Sequence, residues 1–210
     1  MPELVVALAK GRLMDRAVAV LGAAGIVFDG LDSRRLRVRG GAYEFLLVKP
    51  LDVPTYVAHG AADAGLCGSD VLAESGADVF EPLDLGISRC RLVVAGKRGT
   101  GTEGYLGGSV VRVATKYPRT TERFFHDRGV PVELVHLAGS VELAPLVGLA
   151  DHIVDLVETG ATLRDNGLEI LETIAACSAR LIVNRASFTT KRDAVSRLVA
   201  TFRDAFAVVT

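Results

Sequence analysis

The chain has 210 residues, half of them hydrophobic and 23% charged, a size for one or two domains and a balance that excludes intrinsic disorder. With 24 Lys plus Arg against 25 Asp plus Glu, the net charge of −1 supplies no bulk field for nucleic acid or an anionic membrane, so any phosphate site must be local. Aromatic residues at 6%, with no Trp, are too sparse for a base-stacking platform, and no apolar run approaches the length of a membrane span. Cys67, Cys90 and Cys177 are odd in number, widely spaced and without a CxxC pair. They imply neither a disulfide framework nor a zinc cage, and they fit a reducing cytoplasm. The opening apolar run, Leu4 to Ala9, is too short for a secretory signal, so a soluble, unexported, cytoplasmic protein is expected.

In chain order, Leu4 to Ala9 reads as a strand buried on both faces, followed by Lys10-Gly11-Arg12 and an amphipathic helix closed by Gly25. The unit recurs. Phe45 to Val48 is a strand, Leu51 to Ala58 a helix closed by Gly60, Ala64 to Cys67 a strand, and Ser69 to Ser75 a helix closed by Gly76. Asp52 and Ser69 suit the N-caps of these two helices. Arg91 to Ala95 is a further strand leading into GKRGTGTEGYLGG, a polar, turn-rich stretch. Beyond it lie strand Val110 to Ala114, helix Pro118 to Arg128, strand Val132 to Leu137, helix Val141 to Leu149 and strand His152 to Val157. Arg180 to Val183 is one more strand, and Ala194 to Val208 a terminal helix with apolar residues at helical spacing. Strand and helix alternating over short connections predict an α/β fold. A crossing near Ser88 to Arg91 and a return near Ser178 to Leu181 predict two lobes with a cleft between them, where small-molecule sites concentrate.

Gly99 to Gly104 matches GxGxxG literally but lacks the flanking strand and helix that a dinucleotide fingerprint needs, and a plain loop accounts for it better. The segment from His152 to Leu163 carries more information, because a buried strand ends in a turn with one Gly, two Thr and two carboxylates. Backbone N–H groups near Gly160, the hydroxyls of Thr159 and Thr162, and a helix starting near Leu163 can together cradle a phosphate. Asp155 and Glu158 would repel the phosphate itself and suit sugar hydroxyls or a bound Mg²⁺. On spacing alone, a capped turn with solvated acids fits equally well. Lys10 and Arg12 follow the first strand, where α/β sheets place ligand groups, although solvated loop cations read the same way. Ser33-Arg34-Arg35 reads equally as a charged hairpin. His59, His126, His136 and His152 are scattered without metal spacing, and Cys67 sits in an apolar run as a packing residue.

The segments LVVALAKGRL, KPLDVPTYVAHGAADAGLCGSDVL, VRVATKYP and GSVELAPLVGLADHIVDLVETGATLRDNGL together resemble the catalytic chain of the ATP phosphoribosyltransferase family in its short form, over nearly the whole sequence. The resemblance implies a two-lobed periplasmic-binding-protein-like type II fold with mixed sheets. Residues 1–89 plus 179–210 would form the first lobe and residues 90–178 the second. It implies transfer of a phosphoribosyl group from phosphoribosyl pyrophosphate to N1 of the ATP adenine, with Mg²⁺, as the first step of histidine biosynthesis. The loop Glu158, Thr159, Gly160, Ala161, Thr162 and Leu163 would take the 5-phosphate, with Glu142 also on the substrate. Asp155 and Glu158 would hold ribose hydroxyls or the metal. Lys10, Gly11, Arg12, Arg34 and Lys49 would face the polyphosphates, with Arg12, Arg34 and Lys49 in the catalytic role. Ala9 stands where the family usually has Pro, and Lys49 where Arg is common, which exchanges a planar fork for a point charge.

The resemblance also implies a homodimer and a hetero-octamer with a regulatory subunit resembling a histidyl-tRNA synthetase, because the histidine-binding domain of the long form is not expected in this chain. Two other readings share the architecture. One is a non-enzymatic two-lobed binding domain, which would bind a ligand without turnover; the other is a phosphoribosyltransferase acting on a different base, which would show no preference for ATP.

Overall fold

The computed structural model describes residues 2–29, 35–102 and 110–207. In chain order its elements are β1 Leu4–Ala9, α1 Arg12–Ala23, β2 Phe28–Asp29, β3 Arg37–Gly40, β4 Tyr43–Val48, a 3₁₀ turn Pro50–Asp52, α2 Val53–Ala58, β5 Ala64–Gly68, α3 Ser69–Ser75 and β6 Phe80–Asp84. Then come β7 Cys90–Lys97, β8 Val111–Thr115, α4 Pro118–His126, β9 Val132–His136, α5 Leu143–Leu146, β10 His152–Val157, α6 Ala161–Asp165 and β11 Leu168–Cys177. The chain closes with β12 Ala179–Val183, α7 Arg185–Thr190 and α8 Arg192–Ala207. It divides into two compact units, one formed by Met1–Ser88 with Ser178–Thr210 and the other by Arg89–Cys177.

The first unit is built on a sheet of order β2-β3-β4-β1-β5-β12-β6. Strands β4, β1 and β5 run parallel, and β12 lies antiparallel between β5 and β6. Because successive side chains on a strand face opposite ways, β1 supplies two cores. Leu4, Val6 and Leu8 pack with Leu21 of α1 and with Val195, Leu198, Phe202 and Phe206 of α8. Ala7 and Ala9 pack on the other face with Val53 and Val57 of α2 and Val71 of α3. A strand covered on both faces is why Leu4 to Ala9 is continuously apolar rather than alternating.

The second unit repeats the arrangement on a sheet of order β11-β7-β10-β8-β9, with β9, β8 and β10 parallel and β7 and β11 antiparallel. Leu92, Val94, Val113, Phe124 and Phe125 form one face, and Val93, Ala95, Val141, Ile153, Val157 and Leu163 the other. The mixed α/β fold agrees with the sequence reading.

Several elements depart from it. β6 carries Pro82 and two acids and sits at the sheet edge, where a strand tolerates Pro. β11, with the helix-favouring run LEILETIAA, is extended because it pairs with β7 through two register shifts, so tertiary pairing overrides propensity. α7, absent from the sequence reading, is capped by the Asn184 side chain, which accepts from the Ser187 N–H. The helix expected over Val141 to Leu149 shrinks to Leu143–Leu146, because Gly148 turns the chain at φ 74°. Ser69 is the first residue of α3 rather than its cap; Gly68 holds the cap position, and the Ser69 hydroxyl instead accepts from the Ser178 N–H at 3.2 Å.

Candidate active site

In the first unit, the candidate residues gather at the carboxyl ends of the parallel strands. β1 and β4 are paired to their last residues, Ala9 opposite Val48, and the Lys10 N–H continues the ladder onto the Val48 carbonyl at 2.9 Å. Lys10 and Lys49 therefore leave adjacent strands at the same edge, and both are exposed. Gly11 follows at φ 101° and ψ −156°, a conformation that only glycine adopts without strain, and it turns the chain into α1 with Arg12 as first helical residue. Like-charged side chains share this edge and point to a polyanionic ligand. Arg34 lies outside the described residues.

In the second unit, β10 carries Asp155 toward its carboxyl end and then releases the chain into Glu158 and Thr159, both exposed. Gly160 turns left-handed at φ 76° and opens α6. A side chain there would combine αL strain with an approach of 3.2 Å to the Arg164 Nη1. The Thr159 hydroxyl accepts from the Ala161 N–H at 3.3 Å, and Arg164 Nη1 donates to the Thr159 carbonyl at 3.0 Å. Asn166 Nδ2 donates to the Thr162 carbonyl at 2.8 Å. Leu163 is buried in the same apolar cluster as Val157 and Val141, so the loop is anchored at both ends while Thr159, Ala161 and Thr162 face solvent. The first amides of a helix have no intrahelical acceptor, and here the Ala161 N–H is met by the Thr159 hydroxyl on that exposed surface. Glu142 caps α5 next to buried Val141, on the cluster that also holds the loop.

Asp155 is half-buried and forms an ion pair with Lys116 at 2.9 Å. Lys116 is the functional candidate that the sequence reading passed over. It follows β8 as Lys10 follows β1, a cation directly after a buried strand, and that spacing was the available signal. A knot of buried hydroxyls fixes its turn. Thr115 Oγ1 donates to the Val154 carbonyl at 2.8 Å and accepts from the Tyr117 N–H at 2.9 Å, while Thr121 Oγ1 donates to the Tyr117 carbonyl at 2.7 Å.

Among the described residues, no group of three or more His, Cys, Asp or Glu could hold a metal. Asp155 and Glu158 are a pair of carboxylates, a set that suits a cation drawing most of its oxygens from phosphate and water. His152 is buried, and its burial pushes it below the usual histidine value against an opposing pull from Asp151. Burial, with Asp70 and Glu81 adding to it, pushes the Cys67 thiol up to about 12, which leaves it a protonated packing residue.

The chain matches the family model for ATP phosphoribosyltransferase (HisG) over residues 49–204. It is 49% identical to an ATP phosphoribosyltransferase of Caldanaerobacter subterraneus subsp. tengcongensis, covering 95% of each chain. It is 50% identical to one of Syntrophotalea carbinolica, over 92% of this chain and 90% of that one. Among solved structures it is similar to the ATP phosphoribosyl transferase (HisG:HisZ) complex of Thermotoga maritima, with a TM-score of 0.87 at 37% identity over 97% of this chain and 98% of that chain. The periplasmic aliphatic sulphonate binding protein SsuA of Escherichia coli, at a TM-score of 0.60 and 15% identity over 99% of this chain and 70% of that one, shares the fold.

Proposed function

This chain belongs to the ATP phosphoribosyltransferase family, and from that premise we propose how its residues divide the work of the reaction. The enzyme transfers the 5-phosphoribosyl group from phosphoribosyl pyrophosphate to N1 of the ATP adenine, the first step of histidine biosynthesis. The N1 lone pair forms the bond to ribose C1 as the bond from C1 to the pyrophosphate oxygen breaks. N1 is a weak nucleophile and the ribose carbon gathers positive charge, so the protein contributes by orienting the two reactants and by stabilising the departing charge. No covalent nucleophile is needed.

The observation that carries the reading is the anchored loop after β10. Leu163 and Val157 are buried while Thr159, Ala161 and Thr162 are exposed, which presents hydroxyls and first-turn amides to a phosphate. Thr159, Gly160, Ala161, Thr162 and Leu163 hold the 5-phosphate. Glu142, Asp155 and Glu158 serve the ribose, whose hydroxyls are donors that phosphate oxygens are not. Lys10, Gly11, Arg12 and Lys49 hold polyphosphate oxygens at the edge of the first sheet, and Arg34 has the same role. Arg12, Arg34 and Lys49 meet charge on the departing pyrophosphate.

Mg²⁺ fits this donor set, with Asp155 or Glu158 giving it an oxygen; when bound it supplies further neutralisation of the pyrophosphate. The likeness to the Thermotoga maritima HisG:HisZ complex supports a regulatory partner of the same type, resembling a histidyl-tRNA synthetase, with a homodimer of this chain inside a hetero-octamer. A cytoplasmic enzyme fits both the substrates and the described residues, none of whose helices is long and apolar enough to cross a membrane.

The test is product formation from ATP and phosphoribosyl pyrophosphate with Mg²⁺, with and without a HisZ-type subunit, followed by pyrophosphate release and by the mass of the nucleotide. Phosphoribosyl-ATP is the expected product. Ligand binding without turnover under both conditions would overturn the reading.

A further inference from the structure

The ion pair between Lys116 and Asp155 has an asymmetry that assigns it a role. Lys116 Nζ lies 2.9 Å from Asp155 Oδ1. The Leu156 N–H donates to the same oxygen at 2.7 Å. Both fixed contacts thus converge on one oxygen, and among the described residues Oδ2 has no polar partner. A carboxylate accepts at two oxygens with about four lone-pair sites, so this one is anchored by one oxygen and open at the other.

Lys116 is itself held. Its backbone lies between Thr115 and Tyr117, whose amide and carbonyl are tied by the buried hydroxyls of Thr115 and Thr121. Its ammonium also sits 5.5 Å from the centre of the Tyr117 ring, close enough for cation–π attraction. At 30% side-chain exposure against 13% for Asp155, the pair is partly withdrawn from water and is less screened than an open surface pair.

We propose that Lys116 is a positioning residue for the phosphoribosyl donor: by pinning Oδ1 it turns Oδ2 outward to accept a ribose hydroxyl. This rests on the assignment of Asp155 to the ribose. Without the ammonium, only the adjacent amide restrains the carboxylate, and its rotation spreads Oδ2 over orientations that do not meet the sugar. The pairing also bears on the metal. With Oδ1 taken, Asp155 offers a cation one oxygen and not a chelating pair.

Three variants test this in steady-state kinetics of the assembled enzyme with each substrate varied in turn. Lys116→Met, which keeps the stem and loses the charge, raises KM for phosphoribosyl pyrophosphate on the order of tenfold, the worth of one charge-assisted hydrogen bond. It leaves KM for ATP in place and lowers kcat less than it raises that KM. Lys116→Arg, which restores a donor to Oδ1, recovers most of the loss, whereas a residue needed only for folding would not show that split and rescue. Asp155→Asn separates this inference from the reading beneath it. If Asp155→Asn leaves KM for phosphoribosyl pyrophosphate unchanged, the assignment of Asp155 to the ribose fails. If Asp155→Asn raises it and Lys116→Met does not, the positioning role of Lys116 is overturned. A fall in kcat alone in Lys116→Met would also overturn it, and would place the ammonium on the leaving group. Thermal unfolding of each variant checks that the second unit is intact.

Discussion

At Gly160 a single hydrogen in place of a side chain decides the shape of the loop proposed to take the phosphate. Gly160→Ala puts a Cβ into an αL turn at φ 76° and 3.2 Å from Arg164 Nη1, at a cost of about 1–2 kcal/mol from backbone strain alone. The guanidinium can move aside but the backbone strain cannot relax, so the loop shifts. The expected result is a higher KM for phosphoribosyl pyrophosphate with the KM for ATP unchanged. Glu158→Ala is expected to act in the same direction, weakening use of phosphoribosyl pyrophosphate far more than ATP binding. Unchanged Michaelis constants and turnover in that variant would remove the loop from the site.

At this scale the sequence was legible where chemistry is dense. A strand ending in ETGAT states its own turn, since Gly160 supplies the left-handed residue that opens α6, although the spacing alone fits a capped turn with solvated acids equally well. Lys116 was legible only as a cation directly after a buried strand; its pairing with Asp155, 39 positions away on a neighbouring strand, was not, because no local pattern announces a cross-strand partner. Ser69 misled for the same reason. Gly68 holds the cap position, and the Ser69 hydroxyl accepts instead from the Ser178 amide, 109 positions away.

Among the elements, the amino end of the first sheet is tied by a polar clamp. Asp63, 6% exposed, accepts from the Val5 N–H at 2.9 Å and from the Ser187 hydroxyl at 2.7 Å, and it pairs with Lys191 at 2.8 Å. Asn184 adds a bond to the Val57 carbonyl at 2.8 Å and caps α7. β1, β5, β12, α2, α7 and α8 are thereby linked at one end of the sheet, opposite the edge that carries Lys10 and Lys49. Asp63→Ala is expected to cost about 3 kcal/mol in denaturant unfolding, near the low end for a broken buried pair because Lys191 still reaches water. Phe202→Ala, which empties the centre of α8's apolar face, is expected to cost about 3–5 kcal/mol.

Two buried ionisable groups, Asp63 and His152, make the fold acid-labile in different pH windows. Burial works to raise Asp63, but the hydrogen bonds from Lys191, Val5 and Ser187 outweigh it and hold the carboxyl below 3.8. Its contribution is present above the unfolded value and is lost as pH falls through the folded one. Burial holds His152 below 6.5, so the unfolded chain takes up a proton before the folded one does. That contribution is complete above 6.5 and is lost as pH falls toward the folded value. Denaturant midpoints measured from pH 8 to pH 3 are expected to fall first below about 6.5 and again in the carboxylate range. In His152→Gln the first decline disappears and the second remains.

On the scale of the whole molecule, the expected α/β class follows from strands and helices that alternate within short connections. Buried elements were readable because burial marks the sequence, as an unbroken apolar run in β1 and as a helical period in α8. β6 and β11 were not, because they lie at sheet edges, where half-exposed residues and pairing by backbone groups leave little pattern in the side chains. Their existence follows from the sheets they complete rather than from their own composition.

The place of β12 sets the order in which the protein can be made. The strand that fills the gap between β5 and β6 comes from Ala179–Val183, almost a hundred residues after β6, with all of Arg89–Cys177 between. On a ribosome adding about 5–20 residues per second, that separation lasts roughly 5–20 s. Throughout it the first unit has an unfilled sheet with β5 at its edge, and by its end the second unit is complete in sequence. The second unit is thus the first to close on the nascent chain, and the hydrophobic row Ala64 to Cys67 is the segment a chaperone must shield. Nascent chains halted before and after residue 183 emerges are expected to differ in protease resistance of the first unit alone.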